Sequence, residues 1–213
     1  LLKTYSRFKI YSIMLPFLAI VFYILRSAEI KGMFPFAQSF YSALIYYSFN
    51  PIIVGIPYIA ASLFVDFSIG NFIDTMVFTL VFTLVKILHF RFKRDIPLKI
   101  LPLYIILAKS YSLYSSLINP ASFINFIVSL VISLLFSFIC VYFIQAIAEK
   151  RLNENLNTDD FISLALMTAV FFLGLSTVHV YTVPIVIFVY PFLLMLLLRI
   201  FDSRFAMIFG IMA

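Results

Sequence analysis

Charge is what this sequence has least of. Asp, Glu, Lys and Arg make up 11% of its 213 residues, too few to keep a soluble surface wet. Hydrophobic residues reach 64%, against roughly 45–50% in ordinary soluble domains, so the solvent for most of the chain is lipid. Only five glycines are present, and no glycine-rich phosphate loop or GxSxG elbow is found among them. Cys140 is the one cysteine and sits inside an apolar run, which excludes a disulfide framework and a thiolate metal site. His89 and His179 have no partner at metal-ligand spacing, so structural or interfacial roles are expected for both. Acids are scarcer than bases, giving a net charge of +6, but the cations gather at the ends of apolar runs. That placement excludes a nucleic-acid-binding stripe. No cleavable signal peptide is expected, since the first apolar segment lacks a small-residue exit.

What is present in abundance is helix-length apolar sequence, broken once by a cationic knot, Lys86–Lys99. Lys86, Arg91, Lys93, Arg94 and Lys99 stand there against Asp95 alone, the mark of a loop held on the cytoplasmic side. The expected fold is an all-α, polytopic integral membrane helical bundle. It has about eight complete spans and the start of a ninth, forming one multi-span domain over residues 1–213. The spans are placed at 10–25, 36–49, 51–65, 72–88, 100–118, 121–147, 161–178, 182–198 and, incomplete, 205–213. The second is short and stops at Asn50-Pro51, a helix-breaking pair. The second and third have an alternative, a single re-entrant hairpin. With the amino end inside, twelve of the fifteen basic residues fall at inside ends, Lys150 and Arg151 among them. Arg26 and Lys31 fall outside, and Lys109 lies within a span. The opening Leu1-Leu2 and the apolar close are read as a fragment of a longer protein.

Lys109 is the least expected residue, since a cation at mid-span costs about 2.5–3.5 kcal/mol or more on insertion scales. Its neighbours Ser110, Tyr111, Ser112, Tyr114, Ser115 and Ser116 make that half-helix polar. One reading is a substrate or proton site. The other is a cation buried in the bundle among hydroxyls and carbonyls, favoured because no intramembrane acid is in view as a counter-ion. Asp66 and Asp74 flank a turn with Gly70 and Asn71 and read as turn and capping residues. Hydroxyls four apart, Thr75-Thr79-Thr83 and Ser129-Ser133-Ser137, form ridges suited to close helix packing; the alternative is a hydroxyl-lined solute path. Asn157 or Thr158 can cap the helix that follows, with Asp159 and Asp160 in its first turn. No catalytic, cofactor-binding or metal-binding residue is assigned.

The run KRLNENLNTDDFISLALMTAVFFLGL resembles the membrane region of the stage II sporulation protein E family. There a basic segment, a leucine and an acidic pair lead into an apolar helix ending in glycine. The matching positions are Lys150, Arg151, Leu156, Asp159, Asp160 and Gly174. A second match is Arg26 followed nine positions later by Pro35-Phe36-Ala37, with Phe40 and Ala43 beyond. The resemblance implies a ten-span, non-catalytic anchor and localisation module ahead of an oligomerising region and a PP2C-type serine phosphatase. That phosphatase, absent from this sequence, would need manganese or magnesium and would activate the first forespore sigma factor. The resemblance also implies a plasma-membrane protein at the polar septum of a sporulating bacterium. Its amino end would be cytoplasmic, and its partners would be cell-division protein FtsZ and further copies of itself. The alternative function is a small-solute permease or membrane transport subunit with Lys109 in a midplane cavity.

Overall fold

The structure, a computed structural model, describes residues 2–29, 34–47, 49–92, 96–116, 120–148, 158–180, 183–187, 189 and 191. Helix starts follow local chemistry. Asn50 caps α3 (Pro51–Val65): its side-chain oxygen accepts the Ile52 N–H at 3.0 Å, and Pro51 follows where a missing N–H does no harm. Ser68 caps α4 (Ile69–Arg91), accepting the Asn71 N–H at 3.2 Å. Pro35 opens α2 (Pro35–Tyr46), which follows α1 (Leu2–Ser27). After α4 come a 3-10 turn (Leu98–Ile100), α5 (Leu101–Ala108), α6 (Ser110–Ser116), α7 (Pro120–Ala148) and α8 (Thr158–Thr177). The short strands β1 (His179–Val180) and β2 (Val183–Pro184) then pair antiparallel.

The helix at the centre is α2. Every residue from Pro35 to Ile45 is buried, polar Gln38, Ser39 and Ser42 included, because α1, α3, α4 and α7 all pack on it. Ser39 and Ser42 satisfy themselves on backbone carbonyls, and the Ser39 hydroxyl also reaches the Ser133 carbonyl of α7 at 3.0 Å. Between α1, α2, α3 and α4 lies an aromatic core. Tyr41 stacks on Tyr58 at 4.9 Å, Phe78 stacks on Phe82 at 5.0 Å, and Phe22 meets Tyr58 at 5.4 Å. The Tyr41 hydroxyl is spent on the Pro51 carbonyl at 3.1 Å. Outward faces are the reverse of a soluble protein's: Phe17, Ile20, Ile56, Phe64, Leu80, Leu84, Leu103 and Leu135 are all exposed. Such a surface requires a lipid environment.

Three described helices are long and apolar enough to cross a bilayer: Ile69–Arg91, Ser122–Ile147 and Thr158–Thr177. The expectation of eight complete spans is thereby corrected. The class is helical, but several apolar runs, α2, α3 and α5 among them, are too short to cross. The 12 residues of α2 and 15 of α3 reach about 18 and 22 Å at 1.5 Å per residue, against roughly 30 Å of hydrocarbon. The run expected as one helix over 100–118 is broken at Lys109 into α5 and α6. Where a helix was expected from residue 182, Val183–Pro184 is a strand. Residues 192–198 and the incomplete 205–213 segment lie outside the described residues. The physical reason is that apolarity marks burial in protein as well as burial in lipid, and α2 is buried by protein on every side.

Candidate functional site

One end of the bundle is polar inside. There α1 finishes, α3 hands over to α4, α2 and α7 begin, and α5 breaks into α6; together they line an open cavity of about 310 Å³. Arg26 reaches its wall from the last turn of α1, 3% exposed. Its guanidinium donates from Nη2 to Asn71 Oδ1, and Cζ lies 4.0 Å from the centre of the Phe34 ring, a cation–π contact. Asn71 is the knot that holds this end. Its Nδ2 donates to the Ser62 carbonyl at 3.0 Å and the Asp66 carbonyl at 2.7 Å, so one amide ties α1, α3 and α4.

Lys109 comes from the opposite wall, 4% exposed. It occupies the break between α5 and α6 with backbone at φ −89°, ψ 0°. Its Nζ donates to Ser129 Oγ at 3.0 Å and to the Ser129 carbonyl at 3.5 Å. Asp74 faces the same cavity and attracts Lys109 across it; its Oδ2 accepts from Gln38 Nε2 at 2.8 Å. The absence of an intramembrane acid, expected from sequence, is therefore corrected. Asn71, Thr75, Phe78, Phe82 and Val85 form the buried face of α4, and Asp74 stands beside it, inside the helix rather than in the turn. Asp66 completes the set, its Oδ2 accepting from Ser68 at 3.0 Å. Two cations and two carboxylates thus face one cavity whose walls also carry serine and asparagine side chains. Among its described lining residues there is neither histidine nor cysteine. The arrangement suits binding of a polar guest.

The other residues singled out by sequence fall elsewhere. Lys86, half-buried, and Arg91 and Lys99, exposed, lie at the far end of α4 and just beyond it, away from the cavity. Lys93, Arg94, Lys150, Arg151 and Leu156 lie outside the described residues. Pro35, Phe36 and Ala37 are buried at the start of α2, Asp159 is exposed and Asp160 is buried in the first turn of α8. Gly174 is pressed against α1: a Cβ there would run into the Ile24 carbonyl oxygen. Close by, Thr177 donates to the Ser27 carbonyl at 3.1 Å. His89 bonds Tyr104 and the Val85 carbonyl, a structural setting. The hydroxyl ridges divide: Thr75, Ser133 and Ser137 are buried in helix packing, and Ser129 lines the cavity. Among the described residues no group of three His, Cys, Asp or Glu could hold a metal ion. Gln38 and Asn71 were missed by sequence reasoning. Their signal was spacing: Gln38 is three residues past a helix-opening proline, and Asn71 is three before Asp74.

No family model, no curated protein and no solved structure matches this chain. The apolar helices nevertheless establish its coarse character, a helical membrane-spanning protein.

Proposed function

We propose that this chain is a membrane-anchoring and localisation module of the kind found at the amino end of the stage II sporulation protein E family. One observation carries the reading. Of the described residues that match the family, Arg26, Pro35-Phe36-Ala37, Asp160 and Gly174 are buried where helices meet or begin, while Asp159 is exposed. In particular, Gly174 against Ile24 joins α8 to α1. Residues placed this way build a scaffold, which is what an anchor needs. On this reading the whole protein carries a PP2C-type serine phosphatase, with manganese or magnesium, beyond residue 213. It gathers at the polar septum, meets cell-division protein FtsZ and self-associates. Two measurements test it. Coding sequence downstream of residue 213 is expected to encode the phosphatase, and a downstream reading frame that ends without one overturns the reading. A fluorescent fusion is expected at the polar septum of sporulating cells, and uniform membrane fluorescence counts against it.

A second reading, transport of a small solute, is favoured by the polar cavity at Lys109. Vesicle uptake that is abolished in Lys109→Ala supports it; equal uptake in both proteins removes it.

A further inference from the structure

The cavity holds polar atoms that the protein leaves unmatched. Arg26 Nε, a donor, and Gln38 Oε1 and Asp74 Oδ1, both acceptors, are buried with no close hydrogen-bond partner, the Ser112 hydroxyl lying near Asp74 and the Tyr58 hydroxyl near Gln38. Arg26 and Gln38 are 3% and 4% exposed although the cavity they line opens to the outside. Leaving such groups unpaired is costly, and a ligand that pairs them recovers the loss.

The identity of the guest follows from the inventory. The walls carry Arg26 and Lys109 against Asp66 and Asp74, a balanced set, so a guest of one sign meets repulsion from half of it. The acceptors call for a hydrogen-bond donor and the guanidinium for an acceptor, and between two cations and two carboxylates a guest carrying both charges pairs best. About 310 Å³ is at the small end of ligand cavities. We propose that this cavity binds a compact zwitterion, its ammonium toward the Asp66 and Asp74 carboxylates and Gln38, and its anionic group toward Arg26 and Lys109. A free amino acid and the headgroup of a zwitterionic phospholipid share this chemistry. The site requires neither anchoring nor transport: binding without vesicle uptake removes the permease reading and leaves this one standing.

The full chain is reconstituted in nanodiscs of phosphatidylglycerol and titrated with radiolabelled glycine, serine and γ-aminobutyrate. Saturable binding is expected, displaced by unlabelled zwitterion but not by acetate or methylammonium, which each carry half the recognition. Asp74→Asn and Gln38→Met are expected to weaken binding about tenfold or more, as for loss of a buried polar partner. Thermal midpoints report that both variants fold. Exchange into phosphatidylethanolamine identifies the source: a raised midpoint with weakened glycine binding assigns the site to a headgroup, and unchanged glycine binding assigns it to a free solute. No saturable binding of the three zwitterions together with no midpoint shift in phosphatidylethanolamine overturns the proposal. So does displacement of glycine by acetate or methylammonium alone, or full affinity retained in both folded variants.

Discussion

At the scale of single residues, Asn71 does the most with the least. Three of its hydrogen bonds cross between elements, to Arg26, to Ser62 and to Asp66. Asn71→Leu keeps the volume and deletes all of them, leaving a buried guanidinium and two carbonyls short of partners. Thermal unfolding in detergent is expected to show a loss of about 2–3 kcal/mol or more. Glycine offers a paired experiment. Gly174→Ala drives a methyl into the Ile24 carbonyl, backbone that cannot swing aside, whereas a Cβ on Gly70 meets nothing within 4 Å. The first change is expected to destabilise by about 1–3 kcal/mol, and the second to be neutral or stabilising by up to about 1 kcal/mol. Melting both variants side by side checks the contrast. Lys109 was legible in the sequence because a mid-span cation is rare. Its opposite charge was not, because an acid five residues past a helix start reads as surface until the facing helices are known.

At the scale of elements, the aromatic core decides stability. Phe78→Ala removes a ring packed between Tyr41, Tyr58 and Phe82, and is expected to cost about 3–5 kcal/mol. Phe64→Ala, at a position 84% exposed, is expected to stay within about 0.5 kcal/mol. Equal losses in a denaturant titration of both would place Phe64 in the core and refute the packing described. Boundaries set by local chemistry were readable in advance: Asn50-Pro51 ends one segment and caps the next because asparagine and proline act on their own backbone. Crossing the membrane was readable only for the long runs: 72–88, 121–147 and 161–178 fall on the three helices long enough to cross, and the short runs could not be told from them. A run such as Phe36–Ile45 looks identical whether its neighbours are lipid tails or four other helices, and only tertiary contacts separate the cases. The 100–118 run failed for a related reason, since Lys109 turns toward Ser129 of α7, a partner twenty residues away that no local pattern announces.

For the whole molecule, the distribution of polarity is lopsided. The acid–base cavity occupies one end of α4 and the basic residues Arg91 and Lys99 lie at or beyond the other. Because α4 is long enough to cross a bilayer, reporter fusions at Phe67 and at Phe92 are expected on opposite faces of the membrane. Paired phosphatase and fluorescent reporters read this directly, and matching signals at the two sites would show that α4 does not cross.

The contact between α8 and the end of α1 joins residues 150 positions apart, Thr177 to Ser27. At about 5–20 residues per second, a ribosome takes roughly 8–30 s to deliver the second partner after the first. Throughout that interval the Ile24 edge of α1 lacks the α8 neighbour it has in the finished fold. Assembly of this bundle is therefore a waiting problem, in which α1 can settle on α3 well before α8 arrives to cover its far edge.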